Sequence, residues 1–189
     1  MRIRKILVIC CILALFSGVV YGAGFVIEAK GIYFQPSDQD FKDIYKIEGE
    51  KFTDWIAYGA EVNITLWKGF GVWAGGHYFK KTGKLSFTGE ETNITMMPVY
   101  GGVKVRLSKG TISPYIGAGV GYFKYKEENP IGTVDKGDIG YIGQAGIMFK
   151  ISVLVIDFQA SYTYCKVKPL ELEENLGGLQ GGIGIGFEF

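Results

Sequence analysis

Leu179-Gln180-Gly181-Gly182-Ile183-Gly184-Ile185-Gly186-Phe187-Glu188-Phe189 decides the fold. Leu179, Ile183, Ile185, Phe187 and Phe189 fall on one parity; Gln180, Gly182, Gly184, Gly186 and Glu188 fall on the other. Successive side chains of a strand point to opposite faces, so this strand is greasy on one side and small or polar on the other. In a barrel that lives in water the greasy side fills the interior. In a barrel that lives in lipid it faces outward, and the interior takes the polar and small side chains.

Working back from this stretch, seven more segments alternate in the same way. They lie at about Gly24–Gln35, Trp55–Trp67, Phe70 past Lys81 toward Phe87, Asn93–Leu107, Ser113–Lys126, Ile139–Lys150 and Val153–Tyr164. The cleanest sets Leu154, Ile156, Phe158, Ala160, Tyr162 and Tyr164 against Asp157, Gln159, Ser161 and Thr163. Eight strands make an even count, and the links between them alternate in length. Lys68-Gly69, Ser108-Lys109-Gly110-Thr111 and the turn around Lys150–Ser152 are short. Pro36–Asp54, Lys80–Thr92, Glu127–Asp138 and Cys165–Leu176 are long and charged. Short periplasmic turns and long extracellular loops are the asymmetry of outer-membrane barrels. The expected fold is therefore all-β, an eight-stranded antiparallel up-and-down transmembrane β-barrel. Trp67, Phe70, Tyr115, Phe149, Phe187 and Phe189 near the turns, and Tyr33, Tyr78, Tyr122, Tyr141, Tyr162 and Tyr164 near the loops, are candidates for its two aromatic girdles.

Composition agrees. Twenty-nine glycines and 15% aromatic residues among 189, with five prolines, suit strands and tight turns better than helices. The first 22 residues read as a signal peptide: Arg2, Arg4 and Lys5, an apolar stretch from Ile6 to Phe16, then small residues up to Gly22. Residues 23–189 are then the barrel. Removing the signal peptide changes the net charge from +1 to −2. Neither value indicates a nucleic-acid partner. Cys10 and Cys11 leave with the leader, so Cys165 has no intrachain partner for a disulfide.

Ser113-Pro114-Tyr115-Ile116-Gly117-Ala118-Gly119-Val120-Gly121-Tyr122, Gly101-Gly102-Val103-Lys104-Val105-Arg106-Leu107 and the closing Gly182–Phe189 carry a resemblance. With them the chain resembles the OmpA/OmpW-like outer-membrane β-barrel (porin-like) family over residues 23–189. The resemblance implies an integral protein of the bacterial outer membrane, in contact with its lipid. Phe187 and Phe189 on the aromatic-ended last strand look like the signal read by the β-barrel assembly machinery. The chain departs from full-length OmpA types, in which a peptidoglycan-binding domain follows the barrel.

Chemistry is sparse. The single histidine, His77, shares the parity of Trp73 and Gly75 and has no serine beside it, so it reads as a lumen residue rather than a catalytic base. One histidine is a poor start for a metal site. Gly69-Phe70-Gly71-Val72-Trp73-Ala74 fits the dinucleotide fingerprint by letter, but begins a strand instead of opening a helix. No catalytic residue, cofactor or metal is expected.

The inward charges are richer. Glu28, Lys30, Glu61, Lys104, Arg106, Asp157 and Glu188 all fall on polar faces. An eight-stranded barrel is just wide enough for side chains to fill, and unpaired charges there are very costly. They are expected to form an ion-pair network that closes the lumen, with inward glycines making room for Trp73 or Tyr100. The expected function is structural or surface-interacting (adhesion-like), for a monomer with a ligand at the extracellular loops. The alternative is a narrow channel for ions or small hydrophobic solutes. In loop one, Phe41, Ile44 and Tyr45 share a face of a short helix that would pack over the barrel mouth.

Overall fold

The computed structural model describes residues 24–38, 55–84, 90–108, 110–167 and 174–189. The signal peptide and the loop-one helix expected above lie outside the described residues.

Among the described residues there are ten strands: β1 (Gly24–Pro36), β2 (Ile56–Trp67), β3 (Phe70–Lys84), β4 (Glu91–Arg106), β5 (Ile112–Asn129), β6 (Gly132–Ile151), β7 (Leu154–Tyr164), β8 (Lys166–Val167), β9 (Glu174–Asn175) and β10 (Gly178–Glu188). Eight of them close a barrel in the order β1-β10-β7-β6-β5-β4-β3-β2, and every pairing is antiparallel. β8 and β9 form a small separate hairpin within the link after β7. The seam joins β1 to β10 from Val26↔Glu188 to Pro36↔Gly178. Beyond it, Phe25 and Phe189 exchange two backbone hydrogen bonds.

One end carries the tight turns. Lys68 and Gly69 adopt φ 46° and 87° between the paired Trp67 and Phe70, the left-handed pair that matches strand twist in a two-residue hairpin. Ser152, with φ 58°, opens the turn between Ile151 and Leu154.

The other end differs from expectation. Glu127–Asp138 is not a loop: β5 and β6 run to 18 and 20 residues and stay paired to Asn129↔Gly132. The Asn129 side chain accepts hydrogen bonds from the backbone of Ile131 and Gly132, fixing the tip. Likewise β3 and β4 stay paired to Lys84↔Glu91, which shortens the Lys80–Thr92 link. Away from the apolar belt both faces of a strand can be polar, so the hydrophobic alternation fades while the backbone ladder continues. β3 to β6 thus form a wall. From Gly132 to Gly140, β6 stands beyond its last pairing with β7, a projection of roughly 25 Å at the usual rise per residue.

Side chains sort by parity as read. Val99 is 66% exposed, Ile139 67%, Ile185 58% and Ile116 55%, all on the outer surface. Glu28, Lys30, Glu61, Lys104 and Asp157 are buried inside. Among the girdle candidates Tyr115 is a correction. It shares parity with Ser113 and is buried in the lumen, whereas Trp67, Phe70, Tyr122, Tyr141 and Phe187 are exposed outside.

Candidate functional site: the barrel lumen

The lumen is filled in layers. At the turn end Arg106 Nη1 donates to Glu188 Oε1 at 3.1 Å, and Lys150 Nζ lies 3.1 Å from Glu188 Oε2. Both carboxylate oxygens of the last strand are therefore engaged by cations from β4 and β6.

The next layer centres on Lys30. On β1 it stands opposite Gly184 of β10, and Gly184 stands opposite Asp157 of β7. A glycine between them makes the meeting feasible: a Cβ on Gly184 would fall 2.9 Å from Glu28 Oε2, 3.3 Å from Asp157 Cβ and 3.4 Å from Lys30 Cε. Across that gap Lys30 Nζ reaches Asp157 Oδ2 at 3.0 Å, Glu61 Oε2 at 3.2 Å and Glu28 Oε2 at 3.4 Å. It also donates to Gln159 Oε1. Lys104 Nζ meets Glu61 Oε1 at 2.5 Å and lies 4.2 Å from the centre of the Tyr115 ring. The Tyr115 hydroxyl donates to Asp157 Oδ2 at 2.9 Å, and Asn63 Nδ2 donates to Glu28 Oε1 at 3.2 Å. Three carboxylates, two ammonium groups, a phenol and two amides thus share one cluster. Each charge in it has an opposite charge within ion-pair distance, which is the condition for keeping charges out of water.

Of the seven residues expected in the lumen, Glu28, Lys30, Glu61, Lys104 and Asp157 come together here, while Arg106 and Glu188 form the pair below. Sequence reading placed Asn63 on the inward polar face with these charges and missed Tyr115 and Lys150 as partners. Tyr115 had a signal, since its parity is that of Ser113 and Gly117.

Above the ions the contents become larger and less polar. Gln159 Nε2 donates to Gln144 Oε1. Trp73 donates to the carbonyl of Val103 at 3.1 Å, and its ring lies 5.3 Å from that of Tyr100. Gly119 and Gly75 make room for these rings: a Cβ on Gly119 would fall 3.1 Å from Trp73 Cζ2, and one on Gly75 3.0 Å from Tyr100 Cε2. His77 is buried, with Nδ1 3.2 Å from the Tyr100 hydroxyl. Its described hydrogen-bond partner is a tyrosine and not a serine.

The loop half holds an apolar plug that sequence reading also missed. Ile32, Phe34, Trp55, Ala57, Phe79, Ile94, Met96, Phe123, Tyr125, Cys165 and Leu176 form one buried cluster. Phe34 and Phe79 meet edge to face at 5.4 Å, Trp55 stacks on Phe79 at 6.1 Å, and Lys81 Nζ lies 4.0 Å from the Trp55 ring centre. The signal was apolar side chains sitting on the inward parity near the loop end. Burial pushes the Cys165 thiol, just past the end of β7, up to about 11.

A lumen cavity beside Asn63, Thr65, Lys104 and Arg106 measures about 10 Å³, room for roughly one water molecule. A concavity of about 1010 Å³ lies on the outer wall, floored by Gly31, Gly181, Ala145 and Ala160. Among the described residues no group of three His, Cys, Asp or Glu side chains has the geometry to hold a metal ion.

No protein-family model and no curated protein sequence matches the chain. Solved structures do. The outer membrane protein OprG of Pseudomonas aeruginosa superposes with a TM-score of 0.67 at 14% identity, covering 88% of this chain and 96% of its own. The chain has the fold of the OmpA/OmpW-like outer-membrane barrels. The attachment invasion locus protein Ail of Yersinia pestis, solved with the heparin analogue sucrose octasulfate, gives 0.54 at 18% identity over 88% of this chain and 97% of its own. Outer membrane protein W of E. coli gives 0.52 at 14% identity over 88% and 98%. At these identities the shared property is the eight-stranded closed barrel.

Proposed function

We propose that this protein is an integral barrel of the bacterial outer membrane whose lumen is closed and whose working surface is its loop end. The observation that carries the reading is the inversion of polarity: apolar side chains cover the outer wall, while ions and aromatics fill the inside. Val99, Ile116, Ile139, Ile183 and Ile185 each expose more than half of their surface. A continuous apolar exterior of this kind is a membrane contact rather than a water contact. The 11 residues of β7 and of β10 match the length a tilted strand needs to span a bilayer.

Closure favours a structural or surface-interacting (adhesion-like) role over a channel. A permeating ion would have to pass the Lys30 cluster and then the apolar plug around Phe79. The tall wall of β3 to β6 presents a rigid surface at the loop end. Phe187 and Phe189, exposed on the outer face of the last strand, are the residues through which the assembly machinery would engage the chain.

Planar-bilayer recording tests the reading. The purified, reconstituted protein should show no stable unit conductance. A stable conductance that changes in Lys104→Gln or Arg106→Gln would establish the narrow-channel alternative. Address is tested separately: the protein should fractionate with outer membranes and migrate differently on gels before and after heating. A lipid-modifying activity would require His77, so His77→Ala should leave lipid acylation unchanged.

A further inference from the structure

The outer face at the loop end is chemically lopsided. Its first polar level sits directly above Tyr78, Met97, Tyr122 and Ile139, all exposed on the outer wall. On that level the ladder sets Lys80 opposite Thr95, Thr95 opposite Lys126, and Met97 opposite Lys124. Tyr122, Lys124 and Lys126 share one parity on β5, so both ammonium groups leave the same face as the tyrosine beneath them. Neighbouring strands lie about 4.8 Å apart and same-face residues of one strand about 7 Å apart, so the three lysines converge within roughly 10 Å. The acids stand farther from the belt or to one side: Glu128 and Glu91 one or two residue pairs higher, and Asp135 across from Lys126 on β6. Asp135 holds Lys124 at 3.5 Å and Glu128 holds Lys126 at 2.6 Å, in side chains that stay 39–50% exposed. Ion pairs so exposed are weak and exchangeable. Among the described residues Lys80 has no acidic partner.

Among the described residues the other half of the circumference exposes Lys166 just past Tyr164 but no row of three. At the same level β7, β10, β1 and β2 present Tyr162, Tyr164, Leu179, Tyr33, Ile56 and Tyr58 on their outer faces. Lysines that served only to end the apolar belt would be needed all round.

We propose that Lys80, Lys124 and Lys126 form a one-sided docking site for the phosphate of an anionic lipid headgroup in the leaflet at the loop end. This rests on the membrane-barrel reading given above. The lipid's acyl chains lie against the belt under Tyr78, Met97 and Tyr122. Its phosphate stands at the height where the belt ends, where long lysine side chains place their charge. Thr95, between Lys80 and Lys126, adds a hydroxyl to the cradle. Anionic headgroups draw interfacial lysines strongly enough for three of them to shift lipid preference by about tenfold, even after competition from Asp135 and Glu128. The binding weakens as salt rises.

The test compares the full protein in bilayers of phosphatidylcholine alone and of phosphatidylcholine with phosphatidylglycerol, using spin-labelled lipids or native mass spectrometry of detergent-extracted complexes. Wild type should prefer the anionic lipid about tenfold, and Lys80→Gln/Lys124→Gln/Lys126→Gln should lose that preference. Lys68→Gln, at the turn end, should keep it. No anionic preference in wild type, or equal loss in both variants, overturns the site. So does inorganic phosphate at equal concentration displacing the lipid fully, since the site would then recognise a free anion. Insertion and heat-modifiable migration in pure phosphatidylcholine are scored in parallel. If they fail, the membrane-barrel reading fails; if they hold while the preference is absent, only the lipid site fails.

Discussion

Lys30 Nζ lies 3.0 Å from Asp157 Oδ2, across a glycine on the strand between them and 127 residues away in sequence. The same oxygen takes a hydrogen bond from Tyr115 at 2.9 Å. Lys30 is thus the cation around which Glu28, Glu61 and Asp157 are arranged, and its loss takes from buried Glu28 and Asp157 their described ion-pair partner while Glu61 keeps Lys104. Lys30→Met should destabilise the barrel by about 3–5 kcal/mol, read as a lower urea midpoint for unfolding from lipid vesicles. An unchanged midpoint would mean that the carboxylates are reached by water.

The apolar plug makes a separate prediction. Phe79 is fully buried between Phe34 and Trp55, so Phe79→Ala should cost about 3–5 kcal/mol. Conductance should stay absent in this variant, because the ion layer below still closes the lumen. Current through Phe79→Ala would locate the seal in the plug alone.

Two glycines differ sharply in the room around them. A Cβ on Gly102 would lie 2.0 Å from the carbonyl oxygen of Ala118 and 2.5 Å from Gly119 Cα, whereas one on the outward Gly143 meets nothing within 4 Å. Gly102→Ala should therefore reduce the yield of heat-modifiable, folded protein severalfold. Gly143→Ala should fold as well as wild type and gain a few tenths of a kcal/mol from the restricted unfolded chain. Equal behaviour of the two would contradict the close approach of β4 and β5.

Cys165 gives a pH dependence. Its thiol is buried and held near 11 against an ordinary value of 9.0. Because the folded value is the higher, the unfolded chain releases its proton first, and stability falls as pH rises from about 9 to 11. Below pH 9 the contribution is intact. Maleimide labelling of the folded protein should be very slow at pH 8 and quicken toward pH 11, while the heat-unfolded chain labels at pH 8 at the rate of an ordinary thiol. Fast labelling of folded protein at pH 8 would place the thiol in water.

Much of the barrel was legible in the sequence, because a strand's two faces require only parity. Asp157, Gln159 and Ser161 against Phe158, Ala160 and Tyr162 assign inside and outside without knowledge of any neighbour. Partners were not legible. That Lys30 meets Asp157 depends on the register of two ladders through Gly184, and register across a seam is set by closure rather than by local sequence. Tyr115 was placed among the girdle residues by its position near a turn, although its parity with Ser113 and Gly117 pointed inward. The plug and the tall wall were missed for a common reason: the alternation that reveals a membrane strand holds only where one face meets lipid. At the loop end Phe34, Phe79 and Phe123 turn apolar groups inward, and Lys124 to Asp138 are polar on both faces, yet the strands run on.

The seam has a mechanical consequence. β10 is held along its length by β7 on one side and β1 on the other, and its final residue is tied back to Phe25. A pull on either terminus along the strand axis loads two ladders in shear at once rather than peeling one pair at a time. The first and last strands, the parts of a chain that usually fray, are here held like any other stave, and the molecule behaves as a hoop that has been joined without a covalent bond.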